Sequence, residues 1–351
     1  MGHYDLTGKP PCPGGTQLTE TFNLMSADVP REEIERPDAF EALVARLSRQ
    51  SVTRHFDAYA DVPWDDPAHL VDPTDRRWEL DADDPLGATA WYQGLPQAER
   101  ARLGLETVAS KMKIGLEFES VLKRGLLEYA STLGNGAPEF RYAYHEVIEE
   151  AQHSLMFQEF VNRSGFDARG LGRADKVAAR FIVSLGRRFP PLFFAFVLGG
   201  EDPIDYVQRR ELRSGRDIHP LLERIMRIHV TEEARHLSFA RHYLKRTVPT
   251  LGPIRRAELA IGAPFILATM AQMMLRPSRQ LVRRYNIPKT VIQEAFIDNP
   301  GHHAEALASM AKLRRLWSEL GLTGGTYRRL WRRLGLWDEV RLAEPDRTAA
   351  A

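Results

Sequence analysis

Two short segments carry the chain's most telling chemistry. Residues 145–153 read HEVIEEAQH and residues 229–236 read HVTEEARH. Each holds a glutamate followed three residues later by a histidine, Glu150 with His153 and Glu233 with His236. No other Glu-x-x-His spacing occurs in the chain. On a helix, residues three apart share a face, so each pair offers one carboxylate and one imidazole to a single metal ion. One such pair carries little weight, because the spacing also arises by chance. Two pairs, on helices separated by another helix, form four of the six ligands of a bundle that holds two metal ions between carboxylates. Imidazoles beside carboxylates favour iron or manganese over magnesium or calcium.

That scheme asks for one further glutamate from the helix before each pair. Before the first pair, Glu117 and Glu119 compete within KMKIGLEFESVL. Leu105, Val108, Met112, Gly115, Glu119, Leu122, Leu126, Tyr129 and Leu133 repeat at three- and four-residue steps, so Glu119 lies in an apolar stripe. Glu117 falls in phase with Ser110, Lys113 and Arg124, a polar face. A carboxylate in a core stripe needs a partner or a metal. Glu119 is therefore preferred, with Glu117 second.

Before the second pair, Glu201 follows an apolar run from Pro190 to Gly200. Its competing role is an ordinary N-terminal position of the helix IDYVQRREL. Pro203 predicts a kink near Gly199. His229 precedes Glu233 by four residues and His236 by seven, so all three share a face. It is read as a third imidazole ligand, against the plainer role of a buried core histidine. His145 and His242 flank the cluster and are read as supporting or surface residues. Asp205 and Tyr144 are candidates to hydrogen-bond the ligands' free edges.

The remaining composition narrows the field. The single cysteine, Cys12, excludes an intrachain disulfide and a cysteine-built metal site, and fits a reducing compartment. Net charge is +1, from 48 basic and 47 acidic side chains, which argues against a general nucleic-acid binder. The basic residues Lys312, Arg314, Arg315, Arg328, Arg329, Arg332 and Arg333 are read as a solvated helix face. The opening MGHYDLTGKPPCPGG is polar, so no leader is expected and a cytoplasmic location follows. The longest apolar stretch, Leu259 to Leu275, contains Pro264 and falls short of the roughly 20 residues that span a bilayer. It is read as a core helix, and no membrane association is expected.

The elements that must position these residues are helices. Residues 1–30 read as a flexible arm, and Glu32 to Gln50 has helical spacing. Residues from about 60 to 90 mix prolines and aspartates without an apolar period. Helical patterns then cover 97–134, 138–164, 173–214, 218–246, 252–284, 288–298 and 302–320, divided by turn signals such as GNGAP and RSGRD. The predicted fold is all-α, a ferritin-like helical bundle with extra helices. Residues 31–340 form one domain and 341–351 a tail. Phe194, Phe196, Phe265, Met270, Met273 and Met274 are read as core first and as pocket wall second.

With these residues in place, the chain resembles the p-aminobenzoate N-oxygenase family, the AurF-type di-iron oxygenases. The resemblance runs from about residue 100 to 245 and more loosely to about 320. It rests on Glu119, Glu150-x-x-His153, Glu201 and His229-x-x-x-Glu233-x-x-His236. It implies two iron ions, with manganese as the alternative, held by Glu119, Glu150, His153, Glu201, His229, Glu233 and His236. It implies dioxygen as co-substrate and oxygenation of an amine nitrogen of a small, aromatic substrate to hydroxylamine, nitroso or nitro. An electron donor of unknown identity and a homodimer follow from the same resemblance. The alternatives are a di-iron hydroxylase or desaturase acting on carbon, and a non-enzymatic iron-binding protein.

Overall fold

The computed structural model describes residues 38–337, apart from the side chains of residues 272–275. The expected arm at 1–30 and tail at 341–351 lie outside the described residues. Among the described residues every regular element is a helix, so the chain is all-α, a ferritin-like bundle.

In chain order the helices are α1 (Ala39–Thr53), α2 (Ala90–Gln93), α3 (Gln97–Ala130), α4 (Pro138–Ser164), α5 (Arg173–Arg188), α6 (Pro190–Arg213) and α7 (Pro220–Thr247). Then come α8 (Pro253–Leu275), α9 (Arg279–Arg284), α10 (Lys289–Phe296), α11 (Pro300–Ser309), α12 (Ala311–Glu319) and α13 (Gly325–Arg333). Local chemistry sets their ends. Asp38 accepts from the Phe40 N–H to start α1. Pro138 opens α4 at a position where no N–H is needed, and Gly165 closes it in the left-handed conformation at φ 71°.

Four helices form the bundle. α3 pairs with α4, and α6 pairs with α7; α3 also touches α6, and α4 touches α7. Helix α1 lies along α4 and α7, α5 covers α3 and α6, and α8 covers α6. The stripe on α3 faces inward as its spacing requires: Leu105, Met112, Glu119, Leu122, Leu126 and Tyr129 are all buried. Close packing of α6 on α3 depends on Gly200, where a Cβ would sit 2.1 Å from the Phe118 ring. Close packing of α5 on α3 depends on Gly186, where a Cβ would sit 2.0 Å from the Gly125 carbonyl oxygen.

Three predicted helices are divided in the structure. The 173–214 segment breaks at Phe189, whose φ of −153° is forced by the proline that follows it. The 252–284 segment breaks at Arg276, which precedes Pro277 and is extended at ψ 149°. The 302–320 segment breaks at Met310, and no sequence signal marks that point. Pro203 does not end its helix: α6 runs as one element from Pro190 to Arg213.

The irregular stretch after α1 is built from aspartate-capped turns. Asp57, Asp66, Asp72, Asp75 and Asp84 each accept backbone N–H groups from their own turns. Trp64 and Trp78 anchor it, their indole N–H groups donating to Ala58 O and Asp72 O. No described helix is long and apolar enough to cross a membrane. Among the basic C-terminal residues Arg314 departs from the solvated-face reading: it is 2% exposed and donates to the Leu307 carbonyl at 3.0 Å.

Candidate metal centre

The bundle brings all seven sequence-selected residues together. Glu119 comes from α3, Glu150 and His153 from α4, Glu201 from α6, and His229, Glu233 and His236 from α7. None is more than 1% exposed. Their ligand atoms lie within 4.8 Å of one another in the overlapping groups Glu119–His153–His229, Glu150–His153–Glu233 and Glu201–His229–Glu233. His236 joins through Nδ1, 3.0 Å from Glu150 and 3.2 Å from Glu233. Glu117 stands apart. It accepts from the Leu171 N–H and pairs with Lys176 at 3.4 Å.

Each imidazole is held by its outer nitrogen and turns the other inward. His153 Nε2 lies 2.9 Å from Glu232, while Nδ1 faces Glu150 at 3.2 Å and Glu233 at 3.6 Å. His236 Nε2 lies 2.7 Å from Glu149. His229 Nδ1 lies 3.0 Å from Gln208 Oε1, and Nε2 faces Glu119 at 3.7 Å and Glu233 at 3.8 Å. An outer N–H donated to an oxygen fixes the ring's orientation and aims the inner nitrogen at the shared centre.

The two supporting carboxylates cross over. Glu149 of α4 holds a histidine of α7, and Glu232 of α7 holds a histidine of α4. Arg235 joins them, 2.8 Å from Glu149 and 3.4 Å from Glu232. The Phe56 N–H donates to Glu232 at 3.1 Å, so the turn after α1 locks the arrangement from outside.

The charge balance calls for cations. Seven glutamates, at 119, 146, 149, 150, 201, 232 and 233, are all buried around this one point. Both oxygens of Glu201, and one oxygen each of Glu119 and Glu233, have no hydrogen-bond partner. Burial, then repulsion from Glu233 and Glu150, pushes the Glu201 carboxyl well above its usual range. Burial alone would lower His153, but hydrogen bonds to Glu150 and Glu232 outweigh it and raise the imidazole to about 10. Burial likewise opposes ionisation of Glu149, yet the His236 hydrogen bond and the His236 and Arg235 charges bring it to about 2. Burial lowers His229 to about 4, so this imidazole is neutral and its inward nitrogen keeps a lone pair. Unpaired buried carboxylates are costly, and divalent ions bound between them remove that cost. The donor set of oxygens and imidazole nitrogens fits iron or manganese.

One edge of the cluster is open. A cleft of about 2290 Å³ reaches Glu119 and His229 and is walled near them by Phe118, Phe157, Phe196 and Met226. Of the apolar residues considered as pocket wall, Phe196, Phe265 and Met270 line the cleft. Phe194 is core, packed edge-on against Tyr129 at 5.1 Å. The side chains of Met273 and Met274 lie outside the described residues.

Asp205 and Tyr144 do not support the cluster. Asp205 pairs with Arg209 at 2.6 Å, and Tyr144 is 44% exposed. His145 meets Arg141, and His242 meets its own helix at Ser238. The residues that do the supporting, Glu149, Glu232, Arg235 and Gln208, were not singled out from sequence. A signal existed for two of them: both motifs read Glu-Glu-Ala-x-His, and the first glutamate of each is the supporting one.

An all-α bundle closed on buried glutamates and histidines, open to one cleft, is the architecture of the carboxylate-bridged metal proteins. Within that class the chain belongs to the p-aminobenzoate N-oxygenase AurF family, whose model matches residues 37–321. This is a family of di-iron oxygenases, and the match makes the chain an enzyme of oxygenase type. The chain is also 39% identical over 280 residues to the protein named "Uncharacterized protein MT0908" of Mycobacterium tuberculosis, covering 80% of this chain and 82% of that one. The Mycobacterium bovis protein "Uncharacterized protein Mb0909" matches at the same identity and coverage.

Proposed function

We propose that this protein is a dioxygen-dependent di-iron N-oxygenase that converts the amine of a small, aromatic substrate to a hydroxylamine, and onward to nitroso or nitro. The observation that carries the reading is His229, a third, neutral imidazole beside Glu119 where the cluster meets the cleft.

The residues would divide the work as follows. Glu119, Glu150, His153, Glu201, His229, Glu233 and His236 would hold two iron ions, and manganese accepts the same donors. Bound there, the ions supply the oxygen-binding positions and the redox chemistry. Glu149, Glu232 and Gln208 keep each imidazole aimed inward. Phe118 and Phe157 exclude water from the edge where an amine nitrogen would approach. The first oxidation balances as amine, dioxygen, two electrons and two protons giving hydroxylamine and water. The two electrons require an external donor. We place the enzyme in the cytoplasm as a homodimer, a state supported by the exposed apolar stripe of Phe140, Tyr144, Ile148 and Leu155 along α4.

The test is turnover of iron-loaded protein with a chemical reductant, ¹⁸O-labelled dioxygen and a panel of arylamines. Label on nitrogen supports the reading. Label on carbon, or formation of a carbon–carbon double bond, transfers it to a hydroxylase or desaturase.

A further inference from the structure

Helix α5 turns an unused face to solvent. Arg173, Val177, Arg180, Phe181, Arg187 and Arg188 recur at three- and four-residue steps and share one side of the helix. Val177 is 64% exposed and Phe181 60%. The four arginines are exposed and form no ion pair among the described residues. Asp175, the acidic residue of α5, is spent on the helix start, where it accepts from the Gly172 N–H at 3.2 Å.

The other side of α5 belongs to the site. Ala179 and Ile182 line the cleft that reaches Glu119 and His229. The start of α5 is tied to α3 beside the cluster. The Leu171 N–H donates to Glu117 at 3.0 Å and Lys176 pairs with it at 3.4 Å, two residues before Glu119. One helix thus has solvent on one side and the cleft on the other.

The arrangement of charge narrows what could cover this face. A helix lying in a membrane keeps its cations on the side opposite its apolar residues, but here arginines and apolar side chains are interleaved on one side. A second copy docked about a two-fold axis would set these arginines against their own kind. Two apolar side chains framed by unpaired cations suit a protein whose face has an apolar centre and an acidic rim.

We propose that this face of α5 docks the electron donor, an acidic one-electron carrier protein of iron–sulfur or flavin type. The inference rests on the oxygenase reading above, in which each amine oxidation consumes two electrons from outside. Two reduced carriers, docking in turn, are each oxidised by one electron, and the two protons come from solvent.

The test measures binding of a plant-type [2Fe–2S] ferredoxin and of a flavodoxin to the full-length, iron-loaded enzyme by calorimetry. At least one carrier is expected to bind at low salt and to weaken by about tenfold or more near 0.5 M salt. Arg180→Glu/Arg187→Glu should weaken it by about tenfold or more at low salt, whereas Arg46→Glu/Lys289→Glu, an equal change of net charge elsewhere, should stay within about twofold. Reduction of the enzyme by that carrier should fall in parallel, while reduction by dithionite is unchanged. If neither carrier binds, or if the α5 variant binds as wild type does, the proposal is overturned. Binding to phosphatidylglycerol vesicles and to neither carrier assigns the face to a membrane and overturns it equally. Docking and electron transfer without nitrogen oxidation would uphold this inference and remove the N-oxygenase reading instead.

Discussion

Nε2 of His236 on α7 lies 2.7 Å from Oε2 of Glu149 on α4. The mirrored contact, His153 of α4 to Glu232 of α7, measures 2.9 Å. Each helix thus steadies the histidine that the other presents. Removing either carboxylate frees an imidazole to rotate. Glu149→Ala and Glu232→Ala are each expected to lower ferrous affinity by about 10- to 100-fold, measured by anaerobic titration. Glu232→Gln retains an oxygen acceptor and should lose less. Equal losses for Ala and Gln would count against a positioning role.

Gln208 plays the corresponding part for His229, accepting at 3.0 Å. Gln208→Leu removes that acceptor and leaves the imidazole free to turn either nitrogen inward. His229→Ala removes the inward nitrogen altogether. Nitrogen oxidation in single-turnover assays should fall by at least about tenfold in Gln208→Leu and to background in His229→Ala. Retention of full activity by His229→Ala would contradict the role given to the third imidazole.

Gly200 bears on both fold and site. A Cβ there would lie 2.1 Å from the Phe118 ring, next to Glu119 on α3 and Glu201 on α6. Gly200→Ala is expected to destabilise the apoprotein by about 1–3 kcal/mol through overpacking and to weaken metal binding as α3 and α6 separate. Denaturant unfolding and metal titration check the two effects separately.

The pH dependence of stability has a source remote from the cluster. His219 is fully buried, stacked on Trp78 at a centroid distance of 4.2 Å. Its Nδ1 accepts from the Leu221 N–H at the start of α7, and Nε2 donates to Leu70 O at 3.2 Å. Burial lowers its pKa below the ordinary value. The unfolded chain therefore binds a proton there more readily than the folded one. The stability His219 contributes is present above the unfolded value of about 6.5 and is lost as pH falls below it. His219→Asn keeps an N-cap acceptor and removes the titration. Its Tm should fall less than that of wild type as pH drops from about 6.5 to 5. Parallel curves would assign the acid sensitivity elsewhere.

Most of this arrangement was legible in the sequence because helical period is a strong signal. The α3 stripe separated Glu119 from Glu117 by phase alone, and the structure puts Glu119 in the cluster and Glu117 on Leu171 and Lys176. What escaped was contact across helices. Nothing in the spacing of α4 says that Glu149 reaches His236 rather than solvent, because that depends on the rotation of α7 against it. The helix breaks at Phe189 and Arg276 were written in the prolines that follow them, but apolar periodicity continues across both points and hid them. Pro203 lies inside α6, which continues through it from Pro190 to Arg213.

The central claim is that the buried cluster holds two iron ions. It is tested most directly by reconstituting the apoprotein anaerobically with ferrous ion, removing the excess, and measuring iron per chain in wild type and in Glu150→Ala, which removes a carboxylate 3.2 Å from His153 Nδ1 and 3.0 Å from His236 Nδ1. About two irons per chain are expected in wild type and fewer than one in the variant. Wild type with no stoichiometric iron, or a Glu150→Ala protein that still retains two, would contradict it.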